Sequence, residues 1–223
     1  MALPSPGRRN GDLPCNRALA LGISLAAGIA PTHAAGQAGH AAASTTAPKL
    51  HAAMRELWLG HVEHARAYAT AVKAGDAAAA GKAAEAVVAN ARQIADAVGG
   101  FYGAAAGQQM LTLLAGHWGG VKALTDARHA GDAAAADKAM NQLTANAGEI
   151  AKFLSGANPN LPDDAVRSLL LAHVAHHSEQ IDAIMRGDAR AEAATWSAMK
   201  AHMDTIADAL ADGIAKQFPG KAA

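Results

Sequence analysis

The chain has 223 residues, of which 51% are hydrophobic, 4% aromatic and 17% charged, with 19 basic side chains balancing 19 acidic ones. That balance, without any basic block, excludes a nucleic-acid or anionic-membrane surface as the partner. Alanine dominates and no Val/Ile/Thr-rich alternating segment is present, which excludes a sheet protein and points to an all-α fold.

The N-terminus reads as a secretory signal peptide over residues 1–34. Arg8, Arg9 and Arg17 precede an apolar run from Ala18 to Ala30, and Thr32-His33-Ala34 supplies the small-residue cleavage signal. The run is about 13 residues, too short to cross a bilayer comfortably. A periplasmic or secreted destination is therefore expected, with no strong membrane signal. Cys15 falls inside this segment, so the exported chain would carry no disulfide. Residues 35–48, rich in Ala, Gly, Ser and Thr, read as a flexible leader ending at Pro48.

Residues 49–219 are expected to form one helical domain. A first stripe at helical period runs Leu50, Met54, Leu57, His61, Ala65, Tyr68, Val72. Gly75 should close that helix in a left-handed conformation, and Asp76 should cap the next. The second helix carries Ala83, Val87, Asn90, Ile94 and Val98, and the stretch from Gly99-Gly100 to Gly107 reads as the following break. A third stripe is Met110, Leu114, His117, Val121, Leu124; a fourth is Leu143, Asn146, Ile150, Phe153. Asn158 to Pro162 is a loop, with Asp163 or Asp164 expected to cap the fifth helix. There Val166, Leu170, His173, His177 and Ile184 face Met199, His202, Ile206 and Leu210, and Pro219 ends the sixth helix.

These elements recur at a period of 56. Leu57-Trp58-Leu59-Gly60-His61 returns as Leu113-Leu114-Ala115-Gly116-His117 and as Leu169-Leu170-Leu171-Ala172-His173. Gly75-Asp76 returns as Gly131-Asp132 and Gly187-Asp188. Ala89-Asn90 returns as Ala145-Asn146 and as Ala201-His202. Self-similarity at fixed period predicts a six-helix bundle of three tandem hairpins, about 50–105, 106–161 and 162–219.

The repeat also aligns polar residues on apolar stripes. Partners equidistant from a hairpin turn lie side by side, which sets His61 opposite Asn90, His117 opposite Asn146 and His173 opposite His202. All six sit about 21 Å from the turn at 1.5 Å per residue. If the hairpins close on one another, they form a single layer across the core. Each such group left unpaired costs about 1–3 kcal/mol. Two solutions fit. Each histidine hydrogen-bonds the Asn or His opposite within its own hairpin, or the imidazoles converge on a zinc or copper ion. In the second case His61, His117, His173 and His202 are candidate ligands, with Asn90 and Asn146 contacting the bound ion or a small ligand. His173 and His177 are the best two-histidine chelate by spacing. His64 and His176, and His177 with them, otherwise read as solvated surface residues, because Gly120 interrupts the pattern in the middle segment. His51 and His129 look exposed; His33 and His40 lie in the presequence and leader.

Several chemistries lack their residues. There is no HExxH run, no paired Glu with Glu-x-x-His, no Cys-x-x-Cys-His and no serine elbow. The Gly99–Gly107 stretch follows a helix, not a strand, and makes no phosphate loop. No nucleophile and base stand together, so catalysis is not expected.

From Leu57 to Pro219 the chain resembles an uncharacterised bacterial helical-bundle family. The matching pieces are His61-Val62 with Arg66, Phe101-Tyr102-Gly103, Ala145-Asn146-Ala147 to Phe153-Leu154, Asn158-Pro159, and Gly213-Ile214-Ala215-Lys216-Gln217-Phe218-Pro219. Such chains are often labelled glycosyltransferase or acetylglutamate kinase, yet neither a nucleotide-sugar nor an ATP site can be found here. The resemblance implies a single bundle. The expected function is an exported, non-catalytic protein binding a metal ion or small ligand. The alternative is an envelope structural or interaction module whose polar layer only sets helix register.

Overall fold

The computed structural model describes residues 46–222. The signal peptide, Cys15, His33, His40 and most of the leader lie outside the described residues. Within them the chain is all-helical, without a strand: α1 Pro48–Ala74, α2 Ala77–Tyr102, α3 Ala104–Ala130, α4 Ala133–Ala157, α5 Asp163–Arg186, α6 Ala189–Gln217 and a short α7 Pro219–Ala222. Pro48 starts α1 at the position where its missing N–H costs nothing.

The turns α1–α2, α3–α4 and α5–α6 share one construction. Gly75, Gly131 and Gly187 have φ of 71°, 71° and 70°, a region that favours glycine. The next residue caps the following helix: Asp76 accepts from the Ala79 amide at 2.9 Å, Asp132 from Ala135 at 2.9 Å and Asp188 from Ala191 at 3.0 Å. Each turn is therefore fixed locally by two residues.

The other connections differ from expectation in three ways. The α2–α3 break is confined to Gly103, at φ 95°, because α2 continues through Gly99 and Gly100. Gly107 is buried inside α3, where a Cβ would stand 2.8 Å from the Ala95 carbonyl and 3.1 Å from the Gly99 Cα. These glycines serve close helix crossing. Neither Asp163 nor Asp164 caps α5; Pro162 holds the N-cap position and Asp163 pairs with Arg167 at 2.7 Å. Pro219 follows the end of α6 and opens α7.

Packing follows from where the bulk sits. α1, α3 and α5 pack on one another, and each of α2, α4 and α6 packs against the two odd-numbered helices beside it. The even helices approach closely because much of their buried face is alanine: Ala91 and Ala95 on α2, Ala136, Ala139, Ala147 and Ala151 on α4, Ala207 and Ala211 on α6. The odd helices are thereby central, and equivalent positions on them converge. His61, His117 and His173 are such positions.

Candidate metal centre

His61 on α1, His117 on α3, and His173 and His177 on α5 form one buried cluster. They are 2%, 4%, 3% and 1% exposed, so none contacts bulk water. One ring nitrogen from each lies within 4.8 Å of all the others. Four-coordinate metal–imidazole bonds of about 2.1 Å require nitrogens about 3.4 Å apart in a tetrahedron. Closing onto an ion therefore asks each ring to move inward by less than about 1 Å, within the reach of rotamer adjustment.

The six ring–ring centroid separations run from 4.4 Å (His173–His177) to 5.9 Å (His61–His177). Four points at six comparable distances cannot be coplanar. The rings occupy the corners of a distorted tetrahedron.

Both ring nitrogens of His61, His117 and His173, and Nε2 of His177, are buried without a hydrogen-bond partner. Burial accordingly holds every imidazole neutral. It lowers the pKa of His61 to about 3 and of His117 to about 4, and pushes His173 and His177 well below the usual histidine value. What remains is a group of neutral nitrogen donors, which is the form first-row metals bind.

His202, Asn90 and Asn146 do not join this cluster. Asn90 Nδ2 donates to the Leu57 carbonyl at 3.0 Å, Asn146 Nδ2 to Leu113 at 3.1 Å, and His202 Nε2 to Leu169 at 2.8 Å. The acceptor lies four residues before the histidine in every case. Each bond therefore clasps an even helix to its odd partner one turn away from the cluster. The equidistance rule gives the right level along the hairpin but not the direction of the side chain. Two glycines make the short reach possible: a Cβ on Gly60 or Gly116 would come within 3.1 Å of the asparagine nitrogen. In the third segment Ala172 replaces that glycine, and the longer imidazole of His202 replaces the amide.

His177 lies inward, as the apolar stripe of α5 and the His173 chelate spacing have it, and not at the surface. It is the most buried of the four, at the α5 position that packs between α1 and α3. The corresponding positions 56 and 112 residues earlier are Val121 and Ala65, both core. The signal that finds it is that alignment: a histidine where two other segments place apolar core. Gly120 is also explained, since a Cβ there would stand 2.8 Å from Leu143.

His51 is likewise not exposed. At 6% exposure it sits between Asp208 and Asp212, with Nδ1 2.8 Å from one carboxylate and Nε2 3.0 Å from the other. Both nitrogens are occupied, so His51 ties α1 to α6 through hydrogen bonds. His64 and His176 are partly exposed and His129 is exposed, and His176 faces His202 at 5.1 Å between ring centres. Toward the opposite end from the Gly75 turn, an apolar cavity of about 170 Å³ is lined by Met54, Trp58, Val98, Phe101 and Met110 among others, and by none of the four histidines.

No described helix is long and apolar enough to cross a membrane. No protein-family model, curated protein or solved structure matches the chain.

Proposed function

We propose that the protein is an exported, non-catalytic helical protein that holds one first-row transition-metal ion, zinc or copper, between His61, His117, His173 and His177. Export rests on the Arg8-Arg9 and Arg17 segment, the apolar run after it and the Thr32-His33-Ala34 cleavage signal. The architecture is read as three tandem 56-residue hairpins, which supplies three of the four ligands from one ancestral position.

The observation that carries the metal reading is His177. Duplication of a hairpin explains His61, His117 and His173 without any ligand. It does not explain a fourth histidine, found only in the third segment, placed where the others have Ala65 and Val121 and completing a tetrahedral set. A buried imidazole there, with Nε2 unpartnered, opposes folding unless something binds it. The rival reading, a structural module with bonds only inside each hairpin, draws support from the Asn90, Asn146 and His202 clasps. It leaves the seven unpartnered imidazole nitrogens of the cluster unaccounted for.

Protein purified without a histidine tag is expected to contain one zinc or copper per chain by elemental analysis, and His117→Ala is expected to lose it. Metal-free protein as purified, with a melting temperature indifferent to chelator and to added ions, would remove the basis for the proposal.

A further inference from the structure

The four ligands bring no negative charge. Each is an imidazole, which binds a metal in its neutral form, and among the described residues the converging set contains no carboxylate and no thiolate. The buried Gln180, one turn beyond His177, directs its amide to Glu192, which is itself held by Arg66 at 2.6 and 2.9 Å. An ion in the site therefore keeps its whole formal charge inside an apolar core.

The cost of placing an ion in such a medium grows with the square of its charge, so a dication bears about four times the penalty of a monocation. Zinc sites commonly offset this with thiolates or carboxylates, or with an open position where a water ionises. Here four imidazoles close the shell and supply neither. A cupric ion has the same charge and additionally prefers square or tetragonal donors. The near-equal ring separations of 4.4 to 5.9 Å do not offer those. A cuprous ion is monovalent, has a filled d shell and accepts a tetrahedral set of nitrogens without distortion.

We infer that the ion taken by His61, His117, His173 and His177 is Cu(I), in preference to Zn(II) and Cu(II). The inference rests on the four-histidine reading above and narrows it. Its test is an anaerobic titration of the untagged protein with Cu(I) against a colorimetric cuprous chelator, paired with a Zn(II) titration against a zinc chromophore. The expected result is one Cu(I) per chain, bound at least 100-fold more tightly than Zn(II), and no cupric electron paramagnetic resonance signal after exposure to air. His177→Val, which installs the side chain found at position 121, is expected to weaken Cu(I) at least 100-fold while remaining folded.

Zn(II) bound within 100-fold of Cu(I) or more tightly, and lost in His117→Leu, overturns the cuprous assignment and leaves the four-histidine site intact. A stoichiometric cupric signal in air does the same. If neither ion binds, or if His117→Leu and His177→Val leave both affinities unchanged, the site reading fails with it.

Discussion

Replacing His117 by leucine is expected to abolish metal binding and, in metal-free protein, to make the fold more stable. Both effects come from the same atoms. Nδ1 and Nε2 of His117 are buried with no partner, and an unsatisfied buried polar group costs about 1–3 kcal/mol. Leucine is close to imidazole in size and contacts the surrounding core without that cost. A gain of 1–3 kcal/mol raises the melting temperature by roughly 2–4 °C for each kcal/mol in a domain of this size. Chelator-treated protein should thus melt several degrees lower than the variant, and the order should reverse when the wild type is loaded with its ion. Asn146→Ala is the contrasting variant. It removes the donor to Leu113, is expected to cost about 1 kcal/mol, and should leave metal stoichiometry unchanged. Urea denaturation of both variants, with and without ion, checks the pair. A His117→Leu variant that is several kcal/mol less stable than metal-free wild type would mean that the imidazole is a satisfied structural group.

The second large effect is acid sensitivity of the metal-free fold. His61 and His117 titrate at about 3 and about 4 in the folded chain because burial disfavours their charged forms, and His173 and His177 are lowered by the same cause. An unfolded histidine titrates near 6.5. Between these values the unfolded chain binds protons that the folded chain refuses, so stability rises with pH through that window and levels off above about pH 7. Each such imidazole contributes a slope of about 1.4 kcal/mol per pH unit, and four together about 5 kcal/mol per unit once pH is well below 6.5. A domain stabilised by 5–15 kcal/mol cannot withstand that beyond roughly two or three units. Metal-free protein is expected to unfold cooperatively between about pH 4 and 5, taking up more than one proton. Bound ion competes with those protons and moves the transition to lower pH. Far-ultraviolet circular dichroism across pH 3–8, with proton uptake measured by calorimetry in two buffers, reads both numbers. Unchanged stability from pH 7 to pH 5 would show that the cluster reaches water or hydrogen-bond partners.

Much of the fold is legible in the sequence because its determinants are local. A glycine at positive φ followed by an aspartate cap needs only two adjacent residues, and Gly75-Asp76, Gly131-Asp132 and Gly187-Asp188 are read correctly without knowing what they pack against. Where sequence reading fails, the deciding partner is distant. Gly99, Gly100 and Gly107 look like a break, yet Gly99 and Gly107 meet across the α2–α3 contact, so their meaning is packing. His51 looks like a surface residue because its carboxylate partners, Asp208 and Asp212, lie at the other end of the chain.

The site divides in the same way. Alignment at period 56 identifies His61, His117 and His173, since equivalent positions on central helices must converge. Spacing pairs His177 with His173 as a chelate and sets it on the apolar stripe of α5, while the interruption at Gly120 points to the surface; packing of α5 against α1 and α3 decides for the stripe. Asn90, Asn146 and His202 are placed at the right height and assigned to the wrong neighbour. Periodicity fixes which face a side chain occupies; it does not say whether an amide turns toward an imidazole or toward a backbone carbonyl. That choice depends on Gly60 and Gly116, whose missing Cβ atoms let the asparagines approach the opposite helix.

Crystals of the untagged protein loaded with copper or zinc, measured at the absorption edge of that metal, test the metal centre most directly. The expected anomalous map has one strong peak, about 2.0–2.1 Å from one ring nitrogen of each of His61, His117, His173 and His177, with the Asn90, Asn146 and His202 clasps undisturbed. A map with no peak among these four rings, or with its peak at His51 and Asp208 or at His176 and His202, would contradict it.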